Sequence, residues 1–301
     1  MVKSIKIYND FNIKSKHKSS IILIGNFDGL HLGHQKVIKE AKQKAKKNKI
    51  PFGVMTFEPV PVMPTAHYAM GGIATNIKAE VLSDNETVVK GLYAAGECAC
   101  VSVHGSNRLG TNSLLDINVF GKRAGKFSVE FAKKTKFPAL PENPEQKVRE
   151  MIVQARSADG PERLASLRKE LQDEMDRNAQ VFRTDASLKS VGKTIHSLRE
   201  RYKNIGIQDR GKRFNTDLLE AIELGFLLDI AEVVVASALE RKESRGGHMR
   251  DDYPDRDDEN FLVHTMAYLT GDATSANVED HIKINWKPVV ITNYQPMERK
   301  Y

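Results

Sequence analysis

The stretch HGSNRLGTNSLLD sets His104 and Arg108 just ahead of what reads as a helix start at Asn112, Ser113 and Leu114. Arginine's planar fork suits a carboxylate, and a nearby imidazole can donate to the same oxygens. Gly105 and Gly110 would let a ligand approach the backbone closely. The N–H groups of a new helix favour negative charge in front of them. Glu97, after the small-residue run GLYAAG, can accept from sugar hydroxyls, and His67 in HYAMGG adds a second imidazole donor. Each has an ordinary alternative when taken singly: Glu97 as a surface acid at a strand end, His67 as a turn residue, Arg108 in a structural ion pair. Together they describe a carboxylate site beside an acceptor of negative charge.

A second constellation lies near the start of the chain. GNFDGLHLGH places Asp28, Gly29, His31 and His34 between a strand and a helix. Glycines bring backbone to a phosphate, the helix start adds positive potential, and two histidines one turn apart can donate to phosphate oxygens. Such a site suits adenylyl transfer from ATP. The alternative is that both histidines only cap the first turn.

These residues need elements to carry them. SSIILIGNF and PFGVMTF read as buried strands flanking the helix GHQKVIKEAKQKAKKN, whose Val37, Ile38 and Ala41 fall at helical spacing. Three prolines in PVPVMP then interrupt regular structure. AHYAMGGIATN reads as a turn region, ETVVKGLYAAGE as two short strands, and NSLLDINVFGKRAGKFSVEFAKK as an amphipathic helix opening at an Asn/Ser cap. After the linker KFPALPENP come four helices: PEQKVREMIVQARS, PERLASLRKELQDEMDRNAQVF, DASLKSVGKTIHSLRERYKN and NTDLLEAIELGFLLDIAEVVVASALERK. The last is apolar nearly all round, which predicts burial. The charged loop ESRGGHMRDDYPDRDDEN precedes expected strands at FLVHTMAYLT, DHIKINW and PVVITNY.

The chain has 301 residues, 40% of them apolar, which is enough for a sizeable core. No run reaches the roughly 20 apolar residues of a membrane span, and the opening MVKSIKIYND lacks a signal peptide's apolar region. The expectation is therefore a cytoplasmic protein with no direct membrane insertion. Cys98 and Cys100 are too close and too few for a disulfide framework or a zinc site and are read as reduced packing residues. The net charge of +7 is unevenly spread: lysine crowds the opening, and the first arginine is Arg108. The lysines of KEAKQKAKKNK have no interleaved aromatics, so they read as a solvated face and not a nucleic-acid surface.

The segments IGNFDGLHLGHQKVI and GVMTFEP resemble the adenylyltransferase module of bacterial bifunctional riboflavin kinase/FAD synthetases over about residues 1–59. That resemblance implies ATP phosphates at Asp28, Gly29, His31 and His34. MPTAHYAMGGIATN, GLYAAGECACVSVHGSNRLGTNSLLD and ESRGGHMRDDYPDRDDENF occur in that order and resemble the flavoprotein subunit of succinate dehydrogenase and fumarate reductase from about Val60 to Tyr301. L-aspartate oxidase shares the ESRGGH-type loop. The second resemblance implies dicarboxylate binding by His67 and Arg108 with His104 nearby, and FAD contacts from Glu97, Asn112, Ser113 and Leu114. It also implies hydride transfer between succinate and FAD, an iron–sulfur subunit, membrane anchor subunits, and a place at the cytoplasmic face of the inner membrane through them.

The sequence contains no GxGxxG turn to hold the FAD pyrophosphate. A join read at Glu58-Pro59, where TFEP meets EPVPVMPTAHY, predicts a chimera with incomplete catalytic machinery that binds FAD and ATP weakly or not at all. The expected fold is mixed α/β in three parts. These are an incomplete Rossmann-like βαβ unit (1–59), the C-terminal part of an FAD-binding domain (60–136), and a helical bundle with a few terminal strands (144–301).

Overall fold

The computed structural model describes residues 19–24, 32–55, 68–180, 182–270, 281–293 and 295–297. The chain divides into two units, one of residues 1–63 with 293–301 and one of residues 64–292. Both helices and strands are present, in a mixed α/β arrangement.

In the first unit, β1 (Ile21–Ile24), α1 (Leu32–Lys47) and β2 (Phe52–Met55) form the expected βαβ unit. The strands are parallel, with Ile21 opposite Phe52 and Ile24 opposite Met55. Among the described side chains of α1, Ala41 and Ala45 are buried, while Val37 is exposed. The apolar spacing therefore identified the helix but put Val37 on the wrong side of it. Three lysines in the last turn face the negative end of the helix dipole.

The second unit opens with β3 (Ile73–Ala74), β4 (Glu80–Leu82), β5 (Val88–Tyr93) and β6 (Ala99–Cys100). β3 runs parallel to β6, and β4 and β5 form an antiparallel hairpin. The segment 86–97 thus contributes one strand where two were expected. Gly72 has to be glycine: its φ is +119°, and a Cβ there would stand 2.6 Å from the Cys98 carbonyl oxygen. Cys98 and Cys100 are free, and Cys98 is exposed, so packing is not its role.

Helix α2 (Asn112–Lys134) follows; its cap is Thr111, at φ 65°, with no side-chain cap bond. Asn112 is therefore the first helical residue and not the cap. Helices α3 (Gln146–Ser157), α4 (Leu164–Asn178), α5 (Asp185–Tyr202) and α6 (Thr216–Glu240) form the bundle, with β7 (Glu162–Arg163) and β8 (Ile205–Gly206) pairing between them. The start of α5 is a capping box: Thr184 accepts from the Ser187 N–H, and Ser187 accepts from the Thr184 N–H. Asn215 caps α6 by accepting from the Leu218 N–H.

The bundle core is built from Leu164, Leu167 and Leu171 of α4, Leu188, Val191, Ile195 and Leu198 of α5, and Leu224, Leu228 and Val235 of α6. Helix α6 is buried on that side only; Leu219, Phe226 and Ile230 on its other side are exposed. Apolarity all round did not here mean burial all round. Helix α7 (Asp258–Phe261) and the antiparallel hairpin β9 (Val263–Leu269) and β10 (Ile282–Pro288) complete the unit. The described part of PVVITNY beyond Pro288 forms no strand.

The hairpin is tied to the bundle by buried charge. His281 Nε2 lies 3.2 Å from Glu232 Oε2 on α6, and Glu232 takes both arms of Arg199 from α5, at 3.2 and 2.6 Å. Burying a carboxylate is tolerable only with such partners.

Candidate functional site

The three motifs singled out in the sequence meet in the second unit. The Gly247 N–H donates to the Ser106 carbonyl at 2.9 Å, joining the ESRGGH loop to the HGSNRLG loop. A Cβ on Gly247 would also lie 3.3 Å from the terminal methyl of Met70, in HYAMGG. The ESRGGH loop is held from within by Glu243, which is fully buried and accepts from Arg241, from both arms of Arg245, and from the Asp257 N–H. His248 accepts from Arg183 at Nδ1 (3.1 Å) and donates from Nε2 to the Arg241 carbonyl (2.8 Å). Burial, with Arg183, Arg241 and Arg250 around it, pushes His248 down to about 4, so it is a neutral ring.

On the HGSNRLG loop, the guanidinium of Arg108 stacks 4.9 Å over the Tyr68 ring, a cation–π contact, and donates to the Leu109 carbonyl at 3.1 Å. Its buried Nε has no hydrogen-bond partner among the described residues, and neither has the buried Nδ1 of His104. Unpaired buried polar atoms are costly, which makes each a candidate ligand contact. The other ring nitrogen of His104, Nε2, faces Asp116 Oδ2 at 3.1 Å, and Tyr68 Oη lies 3.4 Å from that nitrogen. Burial, and then the charges of Asp116 and Glu97, raise the Tyr68 phenol above its ordinary value, so it stays a donor.

Glu97 Oε1 accepts from the Ala69 N–H at 3.1 Å, which brings it beside HYAMGG. At Gly105 and Gly110 a Cβ would meet nothing within 4 Å, so the backbone there is open to a ligand. Leu109 and Leu114 are exposed around the start of α2, an apolar rim beside an N-terminus that has no side-chain cap, where the Asn112 and Leu114 N–H groups donate to the Leu109 and Thr111 carbonyls. A flat, partly apolar ring with a negative edge fits that combination. A cavity of about 40 Å³, lined in part by Gly71, Ser102, His104, Asp116 and His264, is water-sized and too small for a dicarboxylate. Its His264 Nε2 lies 3.4 Å from Ser102 Oγ.

Arg108, His104 and Glu97 are thus brought into one neighbourhood of loops with Tyr68, and the start of α2 adjoins it. His67, Asp28, Gly29 and His31 lie outside the described residues, as do the Glu58-Pro59 join and the side chain of His34. Tyr68 and Asp116 were not singled out in the sequence. Tyr68 follows directly after His67, whereas nothing distinguishes Asp116 from a solvent-facing acid on an amphipathic helix.

A helix start without a side-chain cap, a glutamate in the turn between β5 and β6, and an arginine suited to a carboxylate, followed by a helical bundle, fit a flavoprotein. Residues 10–114 match the family described as FAD binding domain, a match that runs across the join read at 58–59, and residues 168–301 match fumarate reductase flavoprotein C-term. The chain belongs to the succinate dehydrogenase/fumarate reductase flavoprotein family.

Among its relatives is the succinate dehydrogenase flavoprotein subunit of Rickettsia conorii, 41% identical over 287 residues, which are 92% of this chain and 46% of that protein. The fumarate reductase flavoprotein subunit of Haemophilus influenzae is 40% identical over 81% of this chain and 39% of its own length. A solved variant of E. coli quinol fumarate reductase matches at a TM-score of 0.70 and 38% identity, over 80% of this chain and 40% of that one. The chain spans less than half the length of these relatives. Among the described residues, no helix is long and apolar enough to cross a membrane.

Proposed function

We propose that this chain carries the dicarboxylate-binding and flavin-ring half of a succinate dehydrogenase/fumarate reductase flavoprotein, and that it does not turn over alone. The carrying observation is the Arg108 Nε and His104 Nδ1 pair, both buried and both lacking a partner among the described residues. In this reading Arg108, His104 and His67 hold the substrate carboxylate. Glu97 accepts from FAD hydroxyls, and the start of α2 at Asn112, Ser113 and Leu114 faces the flavin ring. The bound FAD would supply hydride acceptance from succinate or donation to fumarate. The chain's own residues orient the substrate and stabilise negative charge on the ring. Electrons would leave to an iron–sulfur subunit, and anchor subunits would hold the assembly peripherally at the cytoplasmic face of the inner membrane.

The parts are proposed as 1–59, 60–136 and 144–301, the first descending from an adenylyltransferase joined at Glu58-Pro59. What supports that ancestry is the parallel pairing of β1 and β2 on either side of α1 in sequence. On it, Asp28, Gly29, His31 and His34 are relics of an ATP site, and the chain is a chimera without activity of its own.

The experiment is titration of the purified chain with FAD and with malonate, a dicarboxylate that cannot be oxidised. Weak FAD binding, together with malonate binding that Arg108→Ala abolishes, is the expected result. Tight stoichiometric FAD with succinate-driven bleaching would overturn the claim of incompetence. Absence of malonate binding would overturn the substrate site. FAD made from FMN and ATP, and lost in His34→Ala, would instead establish adenylyl transfer.

A further inference from the structure

Asp116 is the one buried residue of the 23-residue helix α2. The acidic or basic residues elsewhere along that helix keep their charges in water, where a charge costs little. Asp116 has instead been taken out of solvent, with its side chain 4% exposed against 10% for His104. It is packed where the HGSNRLG loop passes the helix. Its Oδ2 lies 3.1 Å from His104 Nε2, and Tyr68 Oη donates to the same oxygen over 3.5 Å. Tyr68 and His104 also meet edge to face, with ring centroids 5.3 Å apart at 80°. Finally, the Tyr68 ring is the surface on which Arg108 stacks.

We infer that Asp116 is a positioning residue for the carboxylate site, holding His104 with Nε2 inward and Nδ1 toward the ligand, and seating Tyr68 beneath Arg108. This rests on the reading that Arg108 and His104 contact the substrate. The reasoning is geometric. A carboxylate accepts only, so the His104 nitrogen facing it carries the N–H; Nδ1, the acceptor of the ligand-free ring, is left to the ligand and meets its carboxylate through one proton taken up from water on binding. Without Asp116 the ring keeps only its longer 3.4 Å contact with Tyr68 Oη and can turn over, and Tyr68 loses its carboxylate acceptor. Removing the partner behind a metal-binding imidazole costs about tenfold or more in affinity, and a similar scale is expected here.

The test uses the full chain in two readouts. Long-range proton–nitrogen NMR of the His104 ring needs no ligand: the wild type is expected to show one tautomer with hydrogen on Nε2, and Asp116→Ala a mixture. Malonate titration is expected to weaken by about tenfold, or ~1.4 kcal/mol, in Asp116→Ala. Asp116→Asn is expected to recover to within about threefold of wild type, because its amide oxygen still accepts from Nε2. Thermal melts of both variants guard against simple unfolding, and a merely structural Asp116 would leave the tautomer and the malonate affinity unchanged. If wild type binds malonate and Asp116→Ala binds it equally well, the inference is overturned while the substrate reading stands. An Asp116→Asn variant as weak as Asp116→Ala overturns positioning by hydrogen bond. If wild type binds no malonate, the substrate reading fails, and the ring tautomer still decides whether Asp116 fixes His104.

Discussion

Gly246 sits against Ser106 so closely that a Cβ on the glycine would stand 2.8 Å from the Ser106 carbonyl carbon and oxygen, at a φ of +59°. Two loops 140 positions apart in the chain therefore meet backbone to backbone, and only a residue without a side chain allows it. Gly246→Ala combines left-handed strain of about 1–2 kcal/mol with a clash that neither backbone can relieve cheaply. Denaturant unfolding should show a loss of at least about 2 kcal/mol. Malonate binding should weaken too, since the Arg108 loop has to shift. An alanine variant of unchanged stability would mean that the loops do not meet this way.

The bundle core is predicted to be unforgiving and the apolar surface of α2 indifferent. Leu188 is fully buried and Leu115 is exposed. Leu188→Ala should cost about 2–5 kcal/mol in an equilibrium melt. Leu115→Ala should stay within about 0.5 kcal/mol. Equal effects would contradict the packing.

Stability should fall with acid in the window set by His248. Its folded value of about 4 lies below its ordinary 6.5. Between those values the unfolded chain takes up a proton that the folded chain refuses, so stability is full above about pH 6.5 and declines toward pH 4. The loss is bounded at about 3 kcal/mol, since one pKa unit is ~1.4 kcal/mol. His248→Gln keeps an acceptor and a donor without titrating, so its melting temperature should be flatter across that range. Asp252 acts lower down. Arg250 depresses it to about 2 from 3.8, and the stability it contributes disappears only as pH falls through that lower range.

The capping box at α5 gives a local prediction. Thr184→Ala removes the acceptor for the Ser187 N–H, and should cost about 1 kcal/mol. Amide exchange at Ser187 and Leu188 should rise before exchange elsewhere in α5 does.

Much of this architecture was legible in the sequence because apolar spacing marks the helices, but their caps were not: the Asn/Ser cap read for α2 is not there, whereas Asn215 ahead of α6 and Thr184 ahead of α5 do cap and were not singled out. The βαβ order of the first unit was legible for the same reason, since strand and helix periods differ. Sidedness was harder to read. Val37 and the outer face of α6 have apolar side chains that periodicity assigns inward, yet they face out, because burial depends on what packs against a face as well as on its composition. Arg108 and His104 could be picked out by type. Asp116 could not, because helical spacing treats a charge as solvated, and only the fold supplies the histidine and tyrosine that make its burial tolerable.

The Glu232–His281 contact closes a loop of 49 positions. During synthesis α6 emerges long before residue 281, so for that interval Glu232 has Arg199 but not His281 as a partner. Docking of the β9–β10 hairpin then completes the burial, which makes that docking a later step than bundle formation. A nascent chain halted before residue 281 should hold its bundle loosely and be cut by protease within α5 and α6, whereas one released past β10 should resist.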